Sequence, residues 1–270
     1  MELFDTHFHL GKDCSAAEIM EKISADLTLN AGLFNAPVSR LLLMCAGDSF
    51  SGSLEAQKFA AAIPDGYYSV GVHPHNADKY LKNKEDFAIF RNDPKLRAIG
   101  EVGLDYFYDL ADRESQKKVL SEFLALALEW ELPAMLHLRD KENCFDAYND
   151  AYTLLKPFAG KGGRFVIHCY AGNTEFAEKF LELGGYFGVT GMYTFRAAEN
   201  IRTALKDVPL ENLLIETDSP YLAPVPFRGR ENTPGMVTLV AVKLGADRNL
   251  TPEKAAQIFS DNGKRFYNIV

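Results

Sequence analysis

Leu3-Phe4-Asp5-Thr6-His7-Phe8 is a short run with apolar residues at both ends, and with His9 directly after it the segment closes on two histidines. Seven more such runs follow, at Arg40–Cys45, Tyr67–Val72, Leu96–Gly100, Ala134–Leu138, Arg164–Ile167, Tyr186–Val189 and Asn212–Glu216. Each is strand-length and bounded by Gly, Pro or charged residues. Helical patterns separate them, at Ala16–Ala25, Ser53–Ile63, Asp86–Arg91, Arg113–Glu131, Asn143–Lys156, Thr174–Leu183 and Ala197–Lys206. Apolar strands alternating with helices indicate successive βα units and a parallel sheet. At 270 residues the reading is α/β, a (β/α)8 TIM barrel, in preference to an open doubly wound sheet. Further helices are expected at Met236–Leu244 and Pro252–Phe259. With no low-complexity stretch or long linker, one barrel domain over residues 1–270 is expected.

Composition narrows the class. Apolar residues make up 47% and charged residues 24%, the mix of an ordinary soluble globular protein. Neither a signal peptide nor an apolar run of the ~20 residues needed to span a bilayer is visible, so a cytoplasmic location is expected. Cys14, Cys45, Cys144 and Cys169 form no C-x-x-C pair and read as free thiols in a reducing compartment. A net charge of −8 excludes non-specific coating of nucleic acid. It leaves open an enzyme whose metals make one cleft positive.

None of the six histidines falls on a predicted helix. His7 and His9 end the first strand, His73 and His75 follow the third, His137 closes the fifth and His168 the sixth. In a barrel these C-terminal strand ends converge on the active site. Residues two apart on a strand point the same way, so His7 and His9 share a face. Glu101 follows the fourth strand and Asp218 the eighth. Taken singly, each has a bland explanation as a core, loop or capping residue. Five strand ends carrying such groups together do not.

Imidazoles with carboxylates suit zinc, manganese or iron, whereas a pure magnesium site takes more oxygen ligands. Four histidines and two carboxylates are too many for one tetrahedral ion and about right for two. Two metals roughly 3.5–4 Å apart clamp a hydroxide and a phosphoryl transition state. Glu101 is expected to bridge them, and Asp218 to bind one and take the proton from the water. No G-x-S-x-G elbow, phosphate loop, H-E-x-x-H or G-x-G-x-x-G is present.

The motifs Phe4–His9, Gly71–His75, Ile99–Tyr106, His137–Asp140, His168–Gly172, Glu216–Pro224 and Pro226–Arg230 run in one order over almost the whole chain. In that order they resemble the TatD-family hydrolases of the metal-dependent amidohydrolase superfamily. The resemblance implies a (β/α)8 barrel with His7, His9, Glu101, His137, His168 and Asp218 as metal ligands. It also implies deoxyribonuclease activity, often as a 3′-to-5′ exonuclease, with His73 near the substrate phosphate. Three departures bear on substrate choice. Arg230-Glu231-Asn232-Thr233-Pro234 stands where the family usually reads Lys-Arg-Asn-Glu-Pro. Tyr170-Ala171 stands where Phe-Ser is commoner, and Leu27–Val38 is long.

The expected cofactors are two divalent ions, zinc, manganese or magnesium, and the expected substrate is a single-stranded DNA end. No membrane or obligate protein partner is expected. Arg139, Arg228 and Arg230 could pair with phosphates, and Tyr106, Tyr170, Tyr193 and Tyr221 offer faces for bases. His73, Arg139, Tyr170 and Arg228 are the candidate substrate contacts. Rival readings are hydrolysis at carbon (deamination, lactone or amide cleavage, aminoacyl-tRNA deacylation) and a non-catalytic barrel that serves as an interaction module.

Overall fold

A computed structural model describes residues 1–11, 14–80 and 84–270. Its first half runs β1 (Glu2–Phe8), α1 (Ala16–Leu29), β2 (Arg40–Cys45), α2 (Phe50–Ala62), β3 (Gly66–Val70), β4 (Leu96–Asp105) and α3 (Arg113–Trp130). The second half runs β5 (Ala134–Arg139), α4 (Asp146–Gly160), β6 (Phe165–Ile167), α5 (Thr174–Glu182), β7 (Tyr186–Val189), α6 (Glu199–Leu205) and β8 (Leu213–Ile215). Two helices, α7 (Val237–Asp247) and α8 (Pro252–Tyr267), follow. All eight strands pair in parallel in sequence order, each with its neighbour.

Bonds between the two outer strands close this sheet into the expected barrel. Thr6 Oγ1 donates to the Ile215 carbonyl at 2.9 Å. The Thr217 amide and hydroxyl donate to the two oxygens of buried Asp5, at 2.8 and 2.6 Å. One turn further, the Asp218 amide donates to the His7 carbonyl at 3.0 Å, and the His9 amide to the Ser219 carbonyl at 2.8 Å.

Inside, Phe4, Leu42, Met44, Ala98, Met135, Val166 and Leu214 pack together with Phe266 and Tyr267 of α8. Outside, Leu3, Phe8, Leu43, Val70 and Leu104 pack against the helices. The register of β1 slips between Asp5 and Phe8. This slip changes the phase of the strand, so that interior Phe4 is followed three residues later by an inward His7.

Helix limits follow local chemistry. Ser15 and Glu18 form a reciprocal capping box on α1. The Asp112 side chain caps α3 by accepting the Ser115 amide, and Glu131 ends that helix in a left-handed conformation two residues before Pro133.

Two expectations are corrected. The predicted helix Asp86–Arg91 is a 3-10 segment, Lys84–Phe90, and a second one spans Pro74–Lys79. β4 does not stop at Gly100 but continues to Asp105, which puts Glu101 within the strand. The glycines read as a stop serve a close approach instead. Gly103 sits at φ +156°, and a Cβ there would run into the His137 backbone of β5. Among the described residues no helix is long and apolar enough to cross a membrane.

Phe123 of α3 is fully buried, with its ring edge-on to Phe87 (5.1 Å between centroids) and Tyr80 (5.9 Å). Phe123→Ala is expected to cost about 3–5 kcal/mol of stability through the cavity it leaves, read as a lower urea midpoint at unchanged slope.

Candidate metal centre

Parallel strands deliver their C-terminal ends to one rim, and this rim gathers the histidines. At its centre is the buried carboxylate of Glu101 on β4. Its Oε1 lies 2.9 Å from His137 Nδ1, 3.2 Å from His168 Nε2 and 3.8 Å from His73 Nε2. Its Oε2 lies 3.1 Å from His9 Nε2 and 3.6 Å from His7 Nε2. Asp218, held at φ 54° just past β8, puts Oδ1 3.7 Å from both His7 and His9 Nε2.

The outer ring nitrogens have acceptors of their own. His137 Nε2 donates to Asp105 at 3.1 Å, and His168 Nδ1 donates to Glu216 at 3.1 Å. His7 Nδ1 faces the thioether sulfur of Met135 at 2.9 Å. With the proton on the outer nitrogen, the neutral form of each ring would turn a lone pair toward Glu101, the form that can hold a cation there. His73 is the opposite case. Its Nδ1 accepts the His75 amide at 3.2 Å, so its Nε2 carries the proton and is a donor.

This arrangement calls for positive charge at its centre. Glu101 Oε2 is buried and accepts no hydrogen bond, while His7 and His9 bring their Nε2 atoms to 3.1 Å of each other. Lone pairs crowded on a buried carboxylate need a cation between them. The donor atoms of His7, His9 and Glu101 lie within 4.8 Å of one another. The residues therefore fit divalent ions.

The acid–base properties agree. Burial alone would raise the Glu101 carboxyl, but His168, His73 and His137 hold it well below its ordinary value. Burial alone would lower His9, His137 and His168, but Glu101, joined by Asp218, Asp105 and Glu216, raises all three. Burial dominates at His7 and His73 and keeps both neutral. Burial pushes the Asp218 carboxyl up to about 6, against the pull of His168 and His9.

Sequence reasoning did not single out Asp105 and Glu216. Asp105 Oδ2 also accepts His75 Nε2 at 2.8 Å, and Glu216 Oε1 also accepts the Cys169 amide at 2.6 Å. Each carboxylate fixes the ring that it touches, as outer partners of metal-binding histidines do. Spacing held the signal: Asp105 is four residues past Glu101 on one strand face, and Glu216 is two before Asp218.

Among the proposed substrate contacts, Arg139 and Arg228 are exposed, and neither has a carboxylate partner among the described residues. Arg139 lies over the rings of Phe107 (4.4 Å) and Tyr108 (4.8 Å), and Arg228 over Phe195 (4.6 Å). Tyr170 is corrected. It is 1% exposed, its ring packs edge-on to Phe187, and its hydroxyl donates to the Asn173 carbonyl at 2.6 Å. Cys169 adopts φ 47°, which breaks the strand alternation and turns Tyr170 into the core. Tyr106 and Tyr193 are buried as well, whereas Tyr221 is 62% exposed.

A parallel eight-stranded barrel with a rim of histidines and carboxylates that fits divalent ions has the build of a metal-dependent hydrolase. The chain belongs to the TatD related DNase family, whose profile matches residues 4–268, and it is a metal-dependent hydrolase. It is 32% identical over 276 residues to the uncharacterized metal-dependent hydrolase YabD of Bacillus subtilis, covering 99% of each chain. It is 33% identical over 235 residues to the 3′-5′ ssDNA/RNA exonuclease TatD of a Rahnella species, covering 83% of this chain and 86% of that one. Among solved structures it resembles YJJV, a TatD homolog from Escherichia coli, with a TM-score of 0.83 at 27% identity over 99% and 98% of the two chains.

Because protons and cations compete for the same lone pairs, Mn²⁺ or Zn²⁺ binding is expected to release protons and to weaken as pH falls below the Asp218 value of about 6. Calorimetric titration in buffers of different ionisation enthalpy reads both effects. Glu216→Gln, which weakens the hold on His168, is expected to lower metal affinity about 10- to 100-fold in the same titration.

Proposed function

We propose that the chain is a cytoplasmic deoxyribonuclease that trims single-stranded DNA from its 3′ end, using two divalent ions (zinc, manganese or magnesium). The reading rests on Glu101, whose two oxygens face different partners. His9, His7 and, through them, Asp218 gather on the Oε2 side, and His137 and His168 on the Oε1 side. We assign all six residues as the ligands that would hold the ions, and Glu101, with donors on both sides, would serve both. Family membership and the exonuclease name of the Rahnella relative support a nucleic-acid substrate.

When bound, the ions lower the pKa of water and offset the charge that builds on the phosphate. The chain's residues supply the proton traffic. Asp218 accepts a proton from the attacking water as the water oxygen adds to phosphorus. The bond from phosphorus to the sugar oxygen breaks, and that oxygen takes up a proton from solvent, while Asp218 returns its own to water. His73 directs its Nε2 proton to a phosphate oxygen. Arg139 and Arg228, free of carboxylates among the described residues, pair with flanking phosphates. The rival reactions at carbon would use the same donors, and no feature of the site favours them.

Asp218→Asn is expected to lower kcat about 10²- to 10⁴-fold with an unchanged circular dichroism spectrum. The decisive assay follows 3′- and 5′-labelled single-stranded DNA with and without Mg²⁺, Mn²⁺ or Zn²⁺. Stepwise loss of the 3′ label only with metal is the expected result. Intact DNA in the presence of bound metal would shift the function to esters and amides.

A further inference from the structure

β4 continues past Glu101 into a turn that holds two exposed aromatic rings, Phe107 (40% exposed) and Tyr108 (50% exposed). Asp105 builds this turn. Its Oδ1 accepts the amides of Phe107 (3.0 Å) and Tyr108 (2.9 Å), while its Oδ2 accepts His137 Nε2 (3.1 Å) and His75 Nε2 (2.8 Å). One carboxylate thus fixes both the aromatic turn and a ring that touches Glu101. Tyr108 also meets the ring of His75 edge-on, with centroids 5.4 Å apart. The two rings stand edge to face at 4.8 Å, under the guanidinium of Arg139.

Exposed aromatic rings beside an arginine with no carboxylate partner among the described residues are the elements of single-strand recognition, in which rings take bases and the cation takes phosphate. We propose that Tyr108, backed by Phe107 and Arg139, is a stacking platform for a nucleobase of the terminal nucleotides, fixed to the metal centre through Asp105. The platform accounts for substrate binding where buried Tyr106 and Tyr170 do not. A ring face accepts any base, so the platform selects for a nucleobase and not for its identity. This inference rests on the nuclease reading above.

The test uses the metal-loaded full chain and a 3′-labelled single-stranded oligonucleotide, beside the same oligonucleotide with abasic terminal positions. Tyr108→Ala is expected to raise KM about tenfold on the normal strand, from lost stacking, with kcat kept. On the abasic strand variant and wild type should coincide. Tyr108→Trp should restore KM, which loss of folding or of metal would not allow. Wild-type KM for Tyr108→Ala on a normal strand that the wild type trims would overturn the platform and leave the nuclease reading intact. Equal loss on normal and abasic strands would also overturn it, by removing the base from the effect. If the wild type neither trims the strand nor quenches a terminal 2-aminopurine, the nuclease reading and the platform fall together.

Discussion

Burial of the Glu101 carboxylate is the constraint on which the rest of the site depends. A charge taken out of water must be met by charge or by hydrogen bonds. Here the nearest groups are imidazoles, supplied by the ends of β1, β3, β5 and β6. Three of these rings are in turn fixed from behind, by Asp105, Glu216 and Met135. Without those outer partners the inner nitrogens could turn away, and the site would lose its affinity for cations. Its function is therefore written in two layers of side chains, and the outer layer decides the state of the inner one.

The barrel and the inner layer were legible in the sequence for a shared physical reason. Parallel strands covered by helices must be apolar along their length, so polar residues at strand ends stand out. Six histidines at such ends cannot be core packing, and His7, His137 and His168 do meet at Glu101. Asp105 and Glu216 were less legible because carboxylates beside turns are common, and their role appears only once a ring nitrogen is seen facing them. The error at Tyr170 has a definite origin. A place at a strand end does not say which way a ring points, and the left-handed Cys169 turns this one inward. β4 was cut short for a related reason: Gly100 and Gly103 look like punctuation in sequence, but they let backbone pass close to β5.

Aromatic residues show the same limit. Tyr106, Phe107 and Tyr108 are consecutive, yet the first is buried with its hydroxyl on Asp150 and the other two are exposed. Composition cannot separate them. The Asp105 side chain can, because by capping the Phe107 and Tyr108 amides it ends the strand and lets the next residues leave the core.

The seam between β1 and β8 bears on how the enzyme comes into being. Asp5, Thr6 and His7 are bonded to residues some two hundred positions later, and the Asp218 carboxylate is brought to His7 and His9 only by that closure. Contacts of such long sequence separation form late, after local βα units are in place. A nascent chain emerging from the ribosome thus holds its first histidines long before their carboxylate partner from the last strand exists. The complete donor set exists only once β8 has been made and has closed on β1, so the hydrolytic centre is silent until then.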